Sequence, residues 1–360
     1  MPPASSPAVA SASEAALVKL ELERRALRFR HPLQTSYGEL CERELIVVSL
    51  TDEEGAVGYG EAAPLEPYDG VSVKRTQTAL EGYAPVIAAA RGLNGAQLID
   101  ACRRVDDLPA ALAAIDLALW DRGGRIGGTS VAAMLTDDPA AEVPVNATLA
   151  SLDRAGVADE AAAAVDAGFR CVKLKVGIGD DAGRVAATRA AIGPKVALRL
   201  DANGAWDVEQ AVRAIETLAP SGLELVEEPV HGLHGVREVR ERVAVRVAID
   251  ETAAEHGALG AGVADAVCLK ISRCGGIAAT IAAATLVRAS GAEAYIASTY
   301  DGPLGVAAGV HVAAALASRG PVPHCGLATL ALFQGLADPL PARDGHIAVP
   351  TGGGLGVDPY

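Results

Sequence analysis

Apolar and polar residues alternate along the first part of the chain. Residues 16–29 and 42–64 alternate as half-buried strands do. Across residues 72–120 the apolar positions recur at helical spacing instead, and a Gly-Gly pair follows as a helix-stop signal. Strands followed by helices predict a separate α+β domain over residues 14–135.

From residue 143 onward, short apolar runs alternate with Ala-rich helical stretches, and the runs recur at intervals of roughly 20–30 residues. This rhythm predicts parallel strands linked by helices, and seven repeats favour a closed α/β barrel over residues 143–320 rather than an open sheet. Residues 321–360 fall outside the rhythm and are expected to return to the first domain. The seven strand segments are residues 143–149, 171–177, 196–204, 223–229, 245–252, 266–272 and 293–299.

Length and composition agree with this division. A chain of 360 residues can hold one barrel of about 250 residues and an added domain. Aromatic residues make up 3%, so the core must consist mainly of Ala, Val, Leu and Ile. The net charge of −14 without a basic patch argues against nucleic acid as a partner.

Localisation signals are weak or missing in the sequence. Residues 1–13 have neither a basic nor an apolar signal-peptide region and are predicted to be a disordered tail. An uninterrupted apolar run of about 18 residues is missing, so no membrane span is expected. Six cysteines without CxxC spacing argue against a disulfide framework, and a cytoplasmic location is expected.

Carboxylates end three consecutive strands of the predicted barrel: Asp201, Glu227 and Asp250. Because strand ends line one rim of a barrel and neighbouring strands lie about 5 Å apart, the three side chains are expected to converge. Converging anions repel one another unless a cation sits among them. Oxygen donors without His or Cys select Mg²⁺, or Mn²⁺, over zinc. The three residues are therefore the predicted metal ligands.

Lysines lie on both sides of this predicted metal site. Lys173 and Lys175 are two residues apart in the second strand, so both point to the same side. Lys270 lies on the sixth strand, half-way round an eight-stranded barrel. Lys175 and Lys270 are thus expected to face each other across the metal. The pair in the VKLKV strand would otherwise be buried without partners, which is costly.

Two opposed lysines beside a divalent cation suit the removal of a proton α to a carboxylate. The resulting enediolate carries its charge on oxygens that a divalent cation stabilises. A lysine near a cation and a second lysine has its charged form disfavoured, so it can act as a neutral base. The predicted substrate is a small-molecule carboxylate.

The motifs VKLKVG (172–177), LRLDANGAWD (198–207), VEEP (226–229), AIDET (248–252) and LKISRCGG (269–276) together resemble the muconate-lactonizing subgroup of the enolase superfamily. The resemblance covers the whole barrel. It implies a (β/α)7β TIM-like barrel closed by the N-terminal α+β domain as a capping domain, and a homo-oligomer is common in the family. It also implies Mg²⁺ on Asp201, Glu227 and Asp250, acid/base roles for Lys175 and Lys270, and a substrate-carboxylate contact for Lys173.

Several further polar residues at strand ends could contact the substrate, although ordinary capping of strand ends is an equal alternative. These residues are Thr148, Asn203, Ser298, Thr299 and Asp301. Tyr37 and Tyr68, in Gly/Pro-rich loops of the first domain, could close over the pocket or simply pack.

The segment that begins STYDGPLG at residue 298 looks most like the o-succinylbenzoate synthases, which dehydrate a cyclohexadiene carboxylate in menaquinone biosynthesis. Asp301 departs from the Glu frequent at that position of the subgroup. Residues 322–336 contain no Asp, which counts against a dipeptide substrate. N-succinylamino acid racemases, dipeptide epimerases and cycloisomerases stay open, because two opposed lysines also suit racemisation.

Two other classes of function are possible for a barrel with an interior lysine. One is an aldolase that forms a Schiff base through the lysine. The other is a non-catalytic scaffold. The intact set of three carboxylates and three lysines argues against both.

Overall fold

The computed structural model of the chain describes residues 16–35 and 38–360. The predicted disordered tail at residues 1–13 and the predicted role of Tyr37 lie outside the described residues. Within the described part, no helix is both long and apolar enough to span a membrane. All six cysteines are free thiols.

The strands of the described chain are β1 (Leu17–Thr35), β2 (Gly38–Asp52), β3 (Val57–Ala62), β4 (Glu142–Pro144), β5 (Ala147–Leu149), β6 (Cys171–Lys175), β7 (Ala197–Asp201), β8 (Leu225–Glu227), β9 (Arg246–Ile249), β10 (Ala266–Leu269), β11 (Glu293–Ile296) and β12 (His346–Ala348). The α-helices are α1 (Glu66–Asp69), α2 (Val73–Ala88), α3 (Gly95–Val105), α4 (Pro109–Gly127), α5 (Val131–Leu135), α6 (Arg154–Asp166), α7 (Asp181–Ile192), α8 (Val208–Leu218), α9 (Leu233–Arg242), α10 (Ile271–Cys274), α11 (Ile277–Ala289) and α12 (Pro303–Ala317).

The N-terminal capping domain is an antiparallel sheet in the order β1-β2-β3, followed by five helices. The turn between β2 and β3 forms because the Asp52 carboxylate accepts hydrogen bonds from the backbone of Glu54 and Ala56. Helix α4 packs closely on β3, and a Cβ on Gly60 would lie 1.9 Å from the Ala114 carbonyl oxygen. Only glycine permits this approach, so the sheet and the helix are fixed face to face.

The barrel sheet contains seven parallel strands in the order β11-β10-β9-β8-β7-β6-β5. The first predicted strand is split, because β5 joins the barrel while β4 pairs antiparallel with β12. Cys325 and Gly326 occupy the eighth position: Cys325 bridges to Val145 on one side, and Gly326 bridges to Ala297 on the other. The predicted (β/α)7β barrel with a capping domain is therefore confirmed.

One connection of the barrel departs from the predicted rhythm. Between β9 and β10 the chain forms two short 3-10 turns, Glu251–Ala254 and Ala258–Gly260, where the other repeats have an α-helix. Glycines at 257, 260 and 262 interrupt this segment, and Gly257 and Gly262 have positive φ angles, so a continuous helix does not form here. The outer wall of the barrel is thinner at this point.

The C-terminal forty residues contact both parts of the molecule. Strand β12 pairs with β4 beside the barrel. Phe333 stacks on Phe29 of β1, with ring centroids 4.8 Å apart. The backbone N–H of Leu355 donates a hydrogen bond to Asp121 of α4. The C-terminal segment thus packs against both the barrel and the capping domain, and the domain boundaries at residues 14–135, 143–320 and 321–360 stay a prediction.

Candidate active site

The inward-facing residues of neighbouring strands form one charged layer near the carboxyl ends of the barrel. Lys175 of β6 pairs in register with Asp201 of β7, which pairs in turn with Glu227 of β8. Leu174 and Leu200 point the other way into the hydrophobic core, because side chains alternate along a strand. The same alternation predicted this layer from the sequence.

Three ammonium groups contact the three carboxylates of this layer. Lys173 Nζ lies 3.1 Å from Asp201 Oδ2 and 3.2 Å from Glu227 Oε1. Lys175 Nζ lies 3.2 Å from the same oxygen of Asp201. Lys270 forms an ion pair with Asp250, the most exposed of the three acidic residues at 6%. Charges buried this deeply require partners, and here the lysines supply them.

The donor atoms of this layer fit a divalent cation. Carboxylate oxygens of Glu227 and Asp250 lie within 4.8 Å of each other and of the Cys268 sulfur. Asp201 is joined to Glu227 through their shared contact with Lys173. Three buried carboxylates offer the hard oxygen donors that Mg²⁺ prefers. A bound ion would replace the ammonium groups as the counter-charge.

The pKa values of the layer follow from this pairing. Burial by itself would raise the pKa of Asp201, but the ammonium groups of Lys173 and Lys175 outweigh it and lower that pKa. Burial would lower the pKa of Lys175, yet the Asp201 carboxylate raises it. Despite its burial, Lys270 has a pKa well above the usual value, chiefly because of Asp250. The neighbouring carboxylates thus favour the ammonium form of Lys175 and of Lys270 when no metal ion is bound to those carboxylates.

Tyr68 of α1 reaches from the capping domain into this layer. Its hydroxyl donates a hydrogen bond to Asp250 Oδ1 at 2.8 Å and accepts one from Lys270 Nζ at 2.8 Å. Lys270 Nζ also lies 4.3 Å from the centroid of the Tyr68 ring. Tyr68 therefore both closes the pocket on this side and contacts one of the two predicted acid/base lysines.

The three lysines, with Asp201 and Asp250, border one pocket between the barrel and the capping domain, while Glu227 is fully buried next to it. Five of the six predicted substrate contacts lie on its wall: Lys173, Thr148, Asn203, Ser298 and Thr299. Ser298 Oγ and Thr329 Oγ1 are 2.9 Å apart, and Thr299 Oγ1 lies 3.1 Å from Ser272 Oγ. The Asn203 amide donates to Glu251 and accepts a hydrogen bond from Lys175.

Asp301 lies behind the pocket wall rather than on it. Its carboxylate accepts a hydrogen bond from the backbone N–H of Thr299, 3.1 Å away. Arg43 of β2 donates to the carbonyl oxygen of the same residue. Burial raises the pKa of Asp301, and the Arg43 charge opposes this shift. The contacts of Asp301 in the structure are therefore with the residues that shape the wall.

Two residues beneath the charged layer were not singled out from the sequence. The Tyr295 hydroxyl donates a hydrogen bond to Glu227 Oε2 at 2.8 Å. Arg199 lies over the Tyr295 ring, 5.2 Å from its centroid, and forms an ion pair with Glu224. Arg199 is two residues before Asp201 on the same strand, so the alternation that identified the acidic ligand could also have identified this arginine.

Glu228 supports the loop that carries Asp250. It is fully buried, and its two carboxylate oxygens accept hydrogen bonds from the backbone N–H groups of Asp250 and Thr252. This acid was also not singled out, because it directly follows Glu227 and a regular strand would turn it away from the site.

Comparisons with known proteins identify the family. The C-terminal domain model described as enolase C-terminal domain-like matches residues 156–360, and the mandelate racemase / muconate lactonizing enzyme N-terminal domain matches residues 18–136. The chain therefore belongs to the enolase superfamily, within its muconate-lactonizing subgroup, and is an enzyme. Proton abstraction is the chemistry of this superfamily.

Relatives in the subgroup have several activities. Muconate cycloisomerase 1 of Rhodococcus opacus is 31% identical over 339 residues, covering 89% of each chain. An o-succinylbenzoate synthase of Thermobifida fusca is 40% identical over 204 residues, covering 53% of this chain and 61% of its own. The crystal structure of a dipeptide epimerase from Enterococcus faecalis V583, complexed with Mg and L-Leu-L-Tyr, superposes with a TM-score of 0.85 at 27% identity, covering 95% of this chain and 99% of that chain.

Proposed function

We propose that the chain removes a proton α to the carboxylate of a small molecule, with Lys175 and Lys270 as the acid/base residues. One observation carries the proposal: both lysines border the same buried pocket, and each contacts a carboxylate of the proposed metal site. Lysine and carboxylate charges at strand ends of a barrel have no structural purpose that apolar residues would not serve better.

We assign the metal to Asp201, Glu227 and Asp250. The buried oxygen donors favour Mg²⁺, with Mn²⁺ as a possible substitute. When bound, the ion supplies positive charge to the oxygens of the enediolate that proton removal creates. With an ion held by these carboxylates, Lys175 and Lys270 would no longer be needed as their counter-charges.

The chain's own residues would bind and orient the substrate. Lys173 is placed to contact the substrate carboxylate, since its ammonium group lies between Asp201 and Glu227 at the pocket wall. Thr148, Asn203, Ser298 and Thr299 offer hydroxyl and amide groups for the rest of the molecule. Asp301 acts through the backbone of Thr299. The proton removed from the α-carbon would be held on Lys175 Nζ.

Among possible substrates, we propose the cyclohexadiene carboxylate that dehydrates to o-succinylbenzoate. The sequence after residue 298 supports this choice, and so does the Thermobifida fusca relative, although it matches only part of each chain. In this reaction Lys175 would take the α-proton and then protonate the leaving hydroxyl on the same face. Lys270 would serve as a cation over the ring.

A racemase, epimerase or cycloisomerase is the second candidate, covering N-succinylamino acids, dipeptides and muconate. The observation that favours it is the presence of a lysine in contact with each of two separate carboxylates, Asp201 and Asp250. Racemisation needs one base for each face of the α-carbon. The Rhodococcus opacus relative also matches over most of both chains.

Two features of the chain stay predictions from the sequence. One is a homo-oligomer, and the other is the set of domain boundaries at residues 14–135, 143–320 and 321–360.

A solvent-deuterium exchange screen tests the proposal. Purified protein with Mg²⁺ is incubated in deuterated water with the cyclohexadiene acid, N-succinylamino acids, dipeptides and muconate. We expect dehydration of the cyclohexadiene acid, with no turnover after chelation. Exchange in an N-acylamino acid without dehydration would favour the racemase. The absence of metal-dependent turnover or exchange with all four classes would contradict the proposal.

A further inference from the structure

Cys268 of β10 places a sulfur atom beside two of the proposed magnesium ligands. Its Sγ and carboxylate oxygens of Glu227 and Asp250 all lie within 4.8 Å of one another. Cys268 is two residues before Lys270, so both side chains point into the barrel. The three donors come from three consecutive strands, β8, β9 with its following residue, and β10.

The thiol of Cys268 lacks the hydrogen bond that two other buried thiols of the barrel, Cys171 and Cys325, make. Cys171 Sγ contacts a Glu224 oxygen at 3.7 Å, and Cys325 Sγ contacts the Pro323 carbonyl oxygen at 3.6 Å. Among the residues that the structure describes, Cys268 Sγ has no such partner, although the residue is only 2% exposed. A buried polarizable sulfur aimed at two carboxylates is an available donor.

The spacing of these donors suits one cation. Zinc lies about 2.3 Å from a cysteine sulfur and about 2.0–2.2 Å from a carboxylate oxygen, so donors around one tetrahedral ion are about 3.5 Å apart. The donors of this cluster lie within 4.8 Å of one another, and metal binding would have to draw them to that spacing. Lys173 and Lys270 would have to release the carboxylates, as binding of Mg²⁺ at this place also requires.

Donor softness then decides which ion uses the sulfur. Mg²⁺ prefers oxygen donors and gains little from sulfur, whereas Zn²⁺ and Cd²⁺ bind thiolates strongly. We propose that the site has a second binding mode, in which Glu227, Asp250 and the thiolate of Cys268 hold a thiophilic divalent cation. Binding forms one metal–sulfur bond and releases the thiol proton to solvent.

The consequence is competition between two kinds of metal. A thiophilic cation in this mode occupies two of the three proposed magnesium ligands, Glu227 and Asp250, and leaves Asp201 with Lys173 and Lys175. It would therefore exclude Mg²⁺ from the site. The inference shares ligands with the proposed function but does not depend on which reaction is catalysed.

X-ray absorption spectroscopy of the full chain loaded with one equivalent of Zn²⁺ tests the proposal directly. The wild-type spectrum is expected to contain one sulfur scatterer. Cys268→Ser should lose the sulfur scatterer and weaken Zn²⁺ binding at least about tenfold, with Mg²⁺ binding unchanged by calorimetry. Cys171→Ser, a change of another buried thiol in a barrel strand, should keep the sulfur scatterer.

Each outcome decides the question. A zinc shell of oxygen and nitrogen alone in wild type would overturn the proposal, as would a sulfur scatterer that persists in Cys268→Ser. If Cys268→Ser does not fold, the wild-type spectrum and that of Cys171→Ser still decide it. A Cys268-dependent zinc site without magnesium-dependent turnover would contradict the proposed function but support the zinc-binding mode. Magnesium-dependent turnover with no zinc–sulfur bond would support the proposed function but contradict the zinc-binding mode.

Discussion

The two acid/base lysines differ in what surrounds them. Lys175 contacts Asp201 and Asn203, and both partners come from the neighbouring strand β7 and its loop. Lys270 contacts Asp250 from the barrel and the hydroxyl of Tyr68 from the capping domain. One lysine is thus positioned by the barrel alone, while the other is completed by a second domain.

This difference suggests that Lys175 and Lys270 have different roles in the reaction. A base that must remove a weakly acidic proton needs a fixed position, and the strands of a barrel provide one. A group whose role changes with the substrate can be positioned by a domain whose loops vary. We expect perturbations of the capping domain to act on the Lys270 side of the pocket first.

The largest effect should come from removing the metal, because its proposed ligands contact both Lys175 and Lys270. Chelator-treated protein should lose measurable turnover, because a divalent ion contributes several kcal/mol of charge stabilisation to the enediolate. Added Mg²⁺ should restore it. Assay of the same protein sample before chelation, after it and after readdition provides the control. Full activity of the stripped protein would contradict the shared metal site.

Replacing each lysine by methionine should separate their roles. Lys175→Met is expected to lower kcat by about 10³-fold, within the usual range for loss of a positioned acid/base. If the reaction is dehydration on one face, Lys270→Met should cost far less. Equal losses, with each variant exchanging the α-proton of only one enantiomer of an N-acylamino acid, would instead establish a two-base racemase. Deuterium exchange followed by NMR measures both.

A smaller effect is expected from Tyr68→Phe, which removes the hydroxyl that contacts Asp250 and Lys270. Loss of a hydrogen bond to a charged group costs about 1.5 kcal/mol or more, so activity should fall about tenfold. The thermal midpoint should change little. Tyr83→Phe is a matched change, since its buried hydroxyl bonds to the Asp106 carbonyl elsewhere in the capping domain. If Tyr83→Phe lowered activity as much as Tyr68→Phe, the contacts of the Tyr68 hydroxyl with Asp250 and Lys270 would not explain the loss.

The comparison of the lysines must be made at a pH where the fold is stable, and His311 sets one limit. Burial lowers the pKa of His311 to about 4, while its ring accepts a hydrogen bond from Ala132 and donates one to Leu355. The unfolded chain therefore binds more protons between pH 6.5 and 4, and stability falls as the pH drops through this window. The loss by pH 4 is about 3 kcal/mol.

Urea denaturation of wild type and His311→Asn at several pH values measures this dependence. The asparagine variant does not titrate in this window, so its stability should fall less steeply from pH 6.5 to 4. Its stability at pH 8 should be lower than that of wild type because one of the two ring contacts is lost. Parallel curves for the two proteins would show that His311 titrates normally in the fold.

Alternation along strands was enough to predict most of the charged layer. Lys173, Lys175 and Asp201 lie in regular strands whose apolar neighbours fix which way they point. Glu227 and Asp250 end the next two strands, and parallel pairing brings them into the same layer. The order of elements likewise predicted the barrel and the capping domain.

Features that depend on packing between distant segments were not predicted. The contact of Tyr68 with Lys270 joins residues that are 202 positions apart. Asp301 lies behind the wall, where its carboxylate accepts a hydrogen bond from the Thr299 backbone and Arg43 donates to the carbonyl oxygen of Thr299. The 3-10 turns after β9 were not predicted because the spacing of the strands stays regular there, although the glycines of this segment are a local signal against a helix. The other two features have no local pattern in the sequence.

The closure at Cys325 and Gly326 has a consequence for how the molecule opens. Four backbone hydrogen bonds join these two residues to the segment between β4 and β5 and to the last strand of the barrel sheet: Cys325 N to Pro144 O, Asn146 N to Cys325 O, Gly326 N to Ile296 O and Ser298 N to Gly326 O. Gly326, Ala297 and Ser298 also line the pocket. The hydrogen bonds that close the barrel therefore lie in the wall of the pocket. A bound substrate that contacts residues on both sides of this closure would stabilise the closed barrel.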